Sequence, residues 1–155
     1  MRFLLFQIGS DRYALPVSEV VEVLPMVRIK KILQAPPGVA GLFEYRGTPV
    51  PVIDVSEMAV GRPAQARLST RIILVNYQGV GGQKQLVGLL AERATQTFKR
   101  EPKDFRNPGI AVEAASYLGA ITSDAQGMIQ RIELVRLLSD KVRDLLFPQS
   151  LQTIE

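Results

Sequence analysis

Short runs of alternating or continuously apolar residues, broken by Gly, Pro or polar clusters, recur along the chain and read as β-strands rather than helices. Residues 3–8, a turn at Gly9-Ser10-Asp11 and residues 13–17 form one hairpin; residues 71–77, a turn over 79–83 and residues 86–91 form another. A second motif also recurs. The strand, turn, strand and short helix of 41–55 and beyond have a counterpart in Tyr117-Leu118-Gly119-Ala120-Ile121, a turn over 123–127 and Met128-Ile129-Gln130-Arg131-Ile132 leading into a helix. Two copies of hairpin, connection, hairpin and helix predict two similar lobes within one domain, 1–155. The expected lobes are 16–66 with the C-terminal helix, and 67–130, with strand 3–8 able to pair with either. Gly61-Arg62-Pro63-Ala64-Gln65-Ala66 is the expected crossover between them. Ile132, Val135, Leu138, Val142 and Leu145, supplemented by Leu134, Leu137 and Leu146, follow helical spacing, so one helix is predicted over 132–147, ended by Pro148 and packed on the β-structure.

The densest signals lie in 41–55. Arg46-Gly47-Thr48-Pro49 breaks two strand-favouring runs, Phe43 and Tyr45 on one side and Val50, Val52 and Ile53 on the other, which predicts a hairpin with Arg46 at its tip. Gly47 is expected to adopt positive φ there. Residues 50–55 are apolar on both alternating faces apart from Asp54, as in a strand covered on both sides, while Pro51 removes a ladder donor and points to an edge or a bulge. Asp54 and Glu57 have the spacing of an N-cap and its reciprocal partner, a reading that outweighs a catalytic Asp54 with no visible acid or base partner. On the strand 20–24, alternation places Val20, Glu22 and Leu24 on one face and Val21 with Val23 in the core.

Composition narrows the chemistry. With 155 residues, 46% hydrophobic and 22% charged, the chain is long and apolar enough to bury a core and is not of a disordered type. Cysteine, histidine and tryptophan are absent. That excludes disulfides and thiolate nucleophiles and removes the commonest metal ligand and general base, so no catalytic residues, no metal site and no cofactor are predicted. Gly79-Val80-Gly81-Gly82 joins strand to strand, and Lys84 is not followed by a hydroxyl residue, so it is not a phosphate loop. No run approaches the roughly 20 apolar residues of a membrane span, and the first apolar stretch is too short for a signal peptide, so a cytoplasmic protein without direct membrane insertion is expected. The net charge of +4 leaves an acidic partner or nucleic acid open. Phe98-Lys99-Arg100-Glu101-Pro102-Lys103-Asp104-Phe105-Arg106 interleaves aromatic and basic residues as a small nucleic-acid-binding barrel would, although Phe98 and Phe105 anchoring a loop explains it more simply. Arg28, Lys30 and Lys31 read as a solvated edge that discourages aggregation.

Gly41, Arg46, Gly47, Pro51, Ile53 and Asp54, with Phe3-Leu4-Leu5-Phe6, Tyr13-Ala14-Leu15-Pro16-Val17, Val20-Val21-Glu22-Val23 and Leu86-Val87-Gly88-Leu89 in order, resemble the CheW-like adaptor family of bacterial chemotaxis. The resemblance covers most of the chain. It implies a mainly β fold of two small SH3-like five-stranded barrels packed together with a C-terminal α-helix, and a non-enzymatic protein that joins chemoreceptor cytoplasmic tips to the regulatory domain of a CheA-type histidine kinase. Other CheW-like domains are further expected partners, nucleic acid is not, and recruitment to membrane-associated receptor arrays is implied. It also implies that Val20, Glu22, Gly41, Arg46, Gly47, Val87 and Gly88 serve partner binding, with Glu22 and Arg46 placed to pair, whereas an exposed pair with no further role would be worth only about 0–1 kcal/mol. The chain departs from the family pattern at Glu44-Tyr45, Ala91-Glu92 and Gln130-Arg131, which points to an adaptor of a specialised array.

Overall fold

The computed structural model describes residues 1–78 and 84–147. The predicted turn over 79–83, Pro148 and the tail 149–155 lie outside the described residues. The strands are β1 (Arg2–Ile8), β2 (Asp11–Pro16), β3 (Val20–Pro25), β4 (Val39–Tyr45), β5 (Thr48–Asp54), β6 (Arg71–Tyr77), β7 (Gln85–Lys99), β8 (Leu118–Asp124) and β9 (Gly127–Ile132). Two short helices, α1 (Val55–Val60) and α2 (Asp140–Leu146), follow β5 and end the described chain.

Strand pairing sorts these elements into two five-stranded lobes with the same internal order. Lobe one runs β3-β6-β7-β5-β4, and lobe two runs β7-β1-β2-β9-β8. In each, all neighbours are antiparallel except one parallel pair, β5 with β7 in lobe one and β9 with β2 in lobe two. The ladders do not close into rings. Instead each lobe is pinned by one bridge of two backbone bonds, Lys30 with Leu42 in lobe one and Arg106 with Ile121 in lobe two, every N–H···O distance being 2.8 Å. The mainly β, two-lobed architecture thus agrees with expectation, as open curled sheets rather than sealed barrels.

The lobe boundaries differ from the predicted 16–66 and 67–130. The two sequence repeats exchange hairpins: the β1–β2 hairpin lies between β7 and the β8–β9 hairpin, whereas β6 and the first half of β7 lie between β3 and the β4–β5 hairpin. The segment 61–66 is not the crossover, because it joins α1 to β6 on the side of lobe one, held by Ser56 Oγ donating to the Arg62 carbonyl at 2.7 Å and Ala64 N–H donating to Asp54 at 2.9 Å. The chain crosses instead at the 3-10 turn Val17–Glu19 and inside β7, which pairs with β6 up to Ala91 and with β1 from Glu92 onward. Arg93, with φ 51°, takes the bend at that switch.

Alternation then assigns each strand face to a core. On β6, Ile73, Val75 and Tyr77 enter a shared core between the lobes, while Ile72 and Leu74 fill lobe one with Phe43, Val50 and Val52. On β1, Leu4, Phe6 and Ile8 enter the shared core, while Phe3 fills lobe two with Ala14 and Ile129. The C-terminal region also departs from its helical spacing. Ile132 is still strand, paired with Leu118, and Glu133 N–H donates to the Tyr117 carbonyl at 2.7 Å, so ladder pairing overrides the local periodicity. A 3-10 turn, Leu134–Arg136, follows, and α2 starts afresh with Ser139 as its N-cap. Leu134, Leu137 and Leu138 are the buried contacts, whereas Val135 and Leu145 stay exposed. α2 packs Val142 and Leu146 on the shared core rather than belonging to one lobe.

Asp54 caps α1, its carboxylate accepting from the N–H groups of Ser56 and Glu57. Glu57 does not reciprocate: Asp54 N–H donates to the Gly38 carbonyl, and the Glu57 carboxylate accepts from Gly38 N–H at 2.9 Å. Burial pushes the Asp54 carboxyl above its ordinary pKa, against the pull of its N–H donors. Pro51 sits neither at a bulge nor at a free end. Pro51 stands opposite Leu42, which spends both its backbone groups on Lys30, so the nitrogens of Pro51 and of Pro49, two residues away, face away from β4's carbonyls, and β7 joins β5 only from Val52, so no ladder bond is lost.

Three stability outcomes follow. A Cβ on Gly41, whose φ is 146°, would lie 2.1 Å from the Lys30 carbonyl oxygen, so Gly41→Ala breaks the lobe-one bridge and is expected to cost about 3 kcal/mol or more in denaturant unfolding. A Cβ on Gly47 meets nothing within 4 Å, so Gly47→Ala is expected to cost only the positive-φ strain, about 1 kcal/mol; equal losses would contradict the bridge. Because the repeats exchange hairpins, fragments 1–66 and 67–155 should each be unfolded by circular dichroism and gain structure on mixing, and a stably folded single fragment would contradict the pairing. Finally, Arg12 grips Asp124 with two bonds, of 2.9 and 2.6 Å, and holds its carboxyl well below the usual range. That stability is present above the unfolded carboxyl pKa of about 4 and is lost as pH falls below it, so Arg12→Leu should flatten this acid limb.

Candidate functional site

Lobe one presents a polar tip beside a strand edge. The β4–β5 turn has two residues, closed by the pair Tyr45 and Thr48, and both turn residues are left-handed, Arg46 at φ 50° and Gly47 at φ 82°. This mirror-type turn matches the twist of the hairpin. Glycine bears it freely, whereas arginine carries roughly 1–2 kcal/mol of conformational strain. The strain aims an exposed Arg46 side chain back across its neighbour, with the guanidinium carbon 5.2 Å from the centre of the Tyr45 ring. Such a contact is worth about 0.5–1 kcal/mol at an exposed site.

Glu22 reaches the same tip from β3. Its carboxylate accepts the Tyr45 hydroxyl at 2.7 Å, and this bond holds the phenol above its ordinary pKa. The expected direct pairing of Glu22 with Arg46 is therefore not the contact observed. Tyr45 stands between them, and among the described residues no hydrogen bond or ion pair uses the Arg46 guanidinium. Tyr45 was not singled out from the sequence as a site residue. The signal was available, since a half-buried tyrosine has an apolar body and a hydroxyl that needs a partner, and Glu22 needed one too.

The strand carrying Glu22 breaks the expected alternation. Opposite β6, Val20 faces Val75 and Glu22 faces Leu74, so Val21 is bulged out of the ladder. Val20 and Val23 turn toward the shared core, Leu24 toward lobe one, and Val21 is 45% exposed. Val21 and Val23 are thus not a core pair, and Val20 does not share the face of Glu22. Val21, Met26 and Val27 leave an exposed apolar border along this edge.

Other predicted site residues are internal. Val87 is 1% exposed, in the shared core, because the first half of β7 is a central strand flanked by β6 and β5. Gly88 is buried, and a Cβ there would come within 2.8 Å of Ile72 Cγ2 and 3.2 Å of the Phe43 ring, so it is glycine for packing. Gly41 is buried against the Lys30 carbonyl. These three can shape the surface but cannot touch a partner from where they lie. The structure brings Glu22, Tyr45, Arg46 and Gly47 together, whereas Val20 and Val87 turn to the shared core and Gly41 and Gly88 are buried within lobe one.

The aromatic-basic loop of lobe two forms an open cleft of about 1000 Å³ lined by Lys99, Arg100, Lys103 and Arg106, with Glu101 and Asp104 among them. Its aromatics are committed elsewhere. Phe98 stacks on Phe3 at 5.5 Å and Phe105 packs against Phe3 at 5.0 Å, so neither ring is free to stack a base, and the anchoring role is the one observed. Among the described residues no group of three or more carboxylates is placed to hold a metal ion, and no helix is long and apolar enough to cross a membrane.

Comparison with known proteins agrees with this architecture. The chain is 24% identical over 141 residues to the chemotaxis protein CheW of Klebsiella aerogenes, covering 90% of this chain and 82% of that one. It is 23% identical over 104 residues to the chemotaxis protein CheW of Helicobacter pylori, covering 67% of this chain and 60% of that one. The crystal structure of the scaffolding protein TtCheW from Thermoanaerobacter tengcongensis superposes with a TM-score of 0.77 at 24% identity, covering 91% of this chain and 89% of that one, which establishes a shared fold. The CheW-like domain model matches residues 2–142, nearly the whole of both lobes, and the chain belongs to the CheW-like domain family.

Proposed function

We propose that this protein is a non-enzymatic adaptor that couples chemoreceptor cytoplasmic tips to the regulatory domain of a CheA-type histidine kinase in a chemosensory array, using the Arg46 tip as a contact. The observation that carries the reading is an exposed arginine on a strained two-residue turn whose guanidinium is uncommitted among the described residues, in a chain matched by the CheW-like domain model. The chemotaxis names of the two relatives support the setting. A planar guanidinium offers two parallel donors to a partner carboxylate, which a lysine point charge does not. Val21, Met26 and Val27 supply an apolar border that a partner would cover. In this role the protein works in the cytoplasm, recruited to membrane-associated receptor arrays, and other CheW-like domains are further partners. The alternative of a nucleic-acid-binding barrel loses support because Phe98 and Phe105 are packed on Phe3.

Arg46 makes only exposed contacts within its own chain, so Arg46→Ala should leave the thermal midpoint nearly unchanged. Binding to receptor-tip or kinase regulatory-domain fragments, measured by titration calorimetry, should weaken by about 2–5 kcal/mol, the usual cost of truncating one side of an interfacial charged contact. Arg46→Lys should recover only part of the loss. Full affinity in Arg46→Ala would return Arg46 to the role of an ordinary surface residue. Single-stranded nucleic acid bound at physiological salt, with both fragments unbound, would favour the alternative.

A further inference from the structure

We propose that Tyr45 is a positioning residue that holds Glu22 away from Arg46 and thereby keeps the guanidinium available for a partner. The inference rests on the adaptor reading above and deepens it by naming what sets the state of its arginine. Three observations converge on one ring. Its hydroxyl donates to Glu22 Oε1 at 2.7 Å, its face lies 5.2 Å from the Arg46 guanidinium carbon, and its edge is fixed by packing in lobe one, with Phe43 at 6.2 Å. A single side chain therefore satisfies the carboxylate with a neutral donor and supports the cation with a π-face. Charge-assisted hydrogen bonds of this length are among the stronger ones available to a carboxylate.

The geometry has a consequence for the arginine. Glu22 and Arg46 are opposite charges at one tip, and a carboxylate without its phenol donor would have Arg46 as an alternative partner. A closed ion pair would occupy the fork that an incoming carboxylate needs. The charged groups acting on the phenol are Glu22, which raises its pKa, and Arg46, which lowers it.

The proposal has partner-free and partner-dependent tests. In the free protein, the Arg46 side-chain NMR signal should be insensitive to Glu22→Gln when Tyr45 is present and should shift on Glu22→Gln in the Tyr45→Phe background, where the ion pair has formed. The Tyr45 phenol, followed by ring NMR and assigned by its loss in Tyr45→Phe, should titrate at lower pH in Glu22→Gln than in the parent. With the receptor-tip and kinase regulatory-domain fragments as probes, Tyr45→Phe should weaken binding about tenfold, the scale of one hydrogen bond to a charged group. The double variant Tyr45→Phe with Glu22→Gln should bind like Glu22→Gln alone, because without the carboxylate the hydroxyl has nothing to restrain. An Arg46 signal that responds to Glu22→Gln in the parent, or that fails to respond in Tyr45→Phe, would overturn the proposal, as would a strictly additive double variant. Failure of the parent protein to bind either fragment would sink the adaptor reading instead, while the two NMR measurements would still decide the role of Tyr45.

Discussion

The core shared by the two lobes is the constraint on which the rest of the molecule depends. β1 and β6 are each buried on both faces, one set of side chains filling its own lobe and the alternate set meeting across the junction. A strand covered on both sides cannot be polar on either, and this accounts for the unbroken apolar runs Phe3-Leu4-Leu5-Phe6 and Ile72-Ile73-Leu74-Val75. The exchange of hairpins between the repeats adds a topological tie to the hydrophobic one. β7 is the physical link, a 15-residue strand whose first half belongs to lobe one and second half to lobe two. The left-handed Arg93 and the buried Ala94 mark the point where it changes sheets.

Within that frame the lobes are equivalent in plan and different in use. Each has one parallel pair, one pinning bridge and a two-residue turn at the tip of the hairpin farthest along its sheet, closed by Tyr45 with Thr48 in lobe one and by Asp124 with Gly127 in lobe two. In lobe two the tip is consumed internally. Arg12 from β2 binds both oxygens of Asp124 and the Gly127 carbonyl, and Asp124 also accepts from Gln126 N–H. In lobe one the corresponding tip keeps its cation outward, supported from below by Tyr45 and Glu22. A two-residue turn at the same place in the plan thus stabilises one lobe and equips the other with an exposed recognition group, and only the lobe-one turn is left-handed at both residues. The difference is that the lobe-two countercharge, Arg12, binds the tip carboxylate directly, whereas in lobe one Glu22 is taken up by the Tyr45 hydroxyl instead of by Arg46.

Apolar runs and turn residues were enough to place all four hairpins and the duplication of the plan, and the Asp54 spacing was enough to place the cap though not the reciprocal role of Glu57, because those features depend on a few neighbouring residues. The helix expected over 132–147 failed for the opposite reason. Its apolar spacing is real, but Ile132 is claimed by Leu118 across a ladder and Ser139 caps a new helix, so two local structures divide a pattern that suits one. The bulge at Val21 likewise leaves no mark in Val20-Val21-Glu22-Val23, three valines and one glutamate that suit an unbroken strand as well as a bulged one.

Strand type, the absence of histidine and cysteine chemistry, the Arg46-Gly47 reversal and the family pattern are properties of the sequence itself, since each follows from residue type and short spacing. Which hairpin joins which lobe, the burial of Val87 and Gly88, and the interposition of Tyr45 between Glu22 and Arg46 were decided only by tertiary structure. Pairing across a sheet depends on contacts between residues far apart in the chain, and the free energy that selects among them is the burial of a common core, which no local window contains.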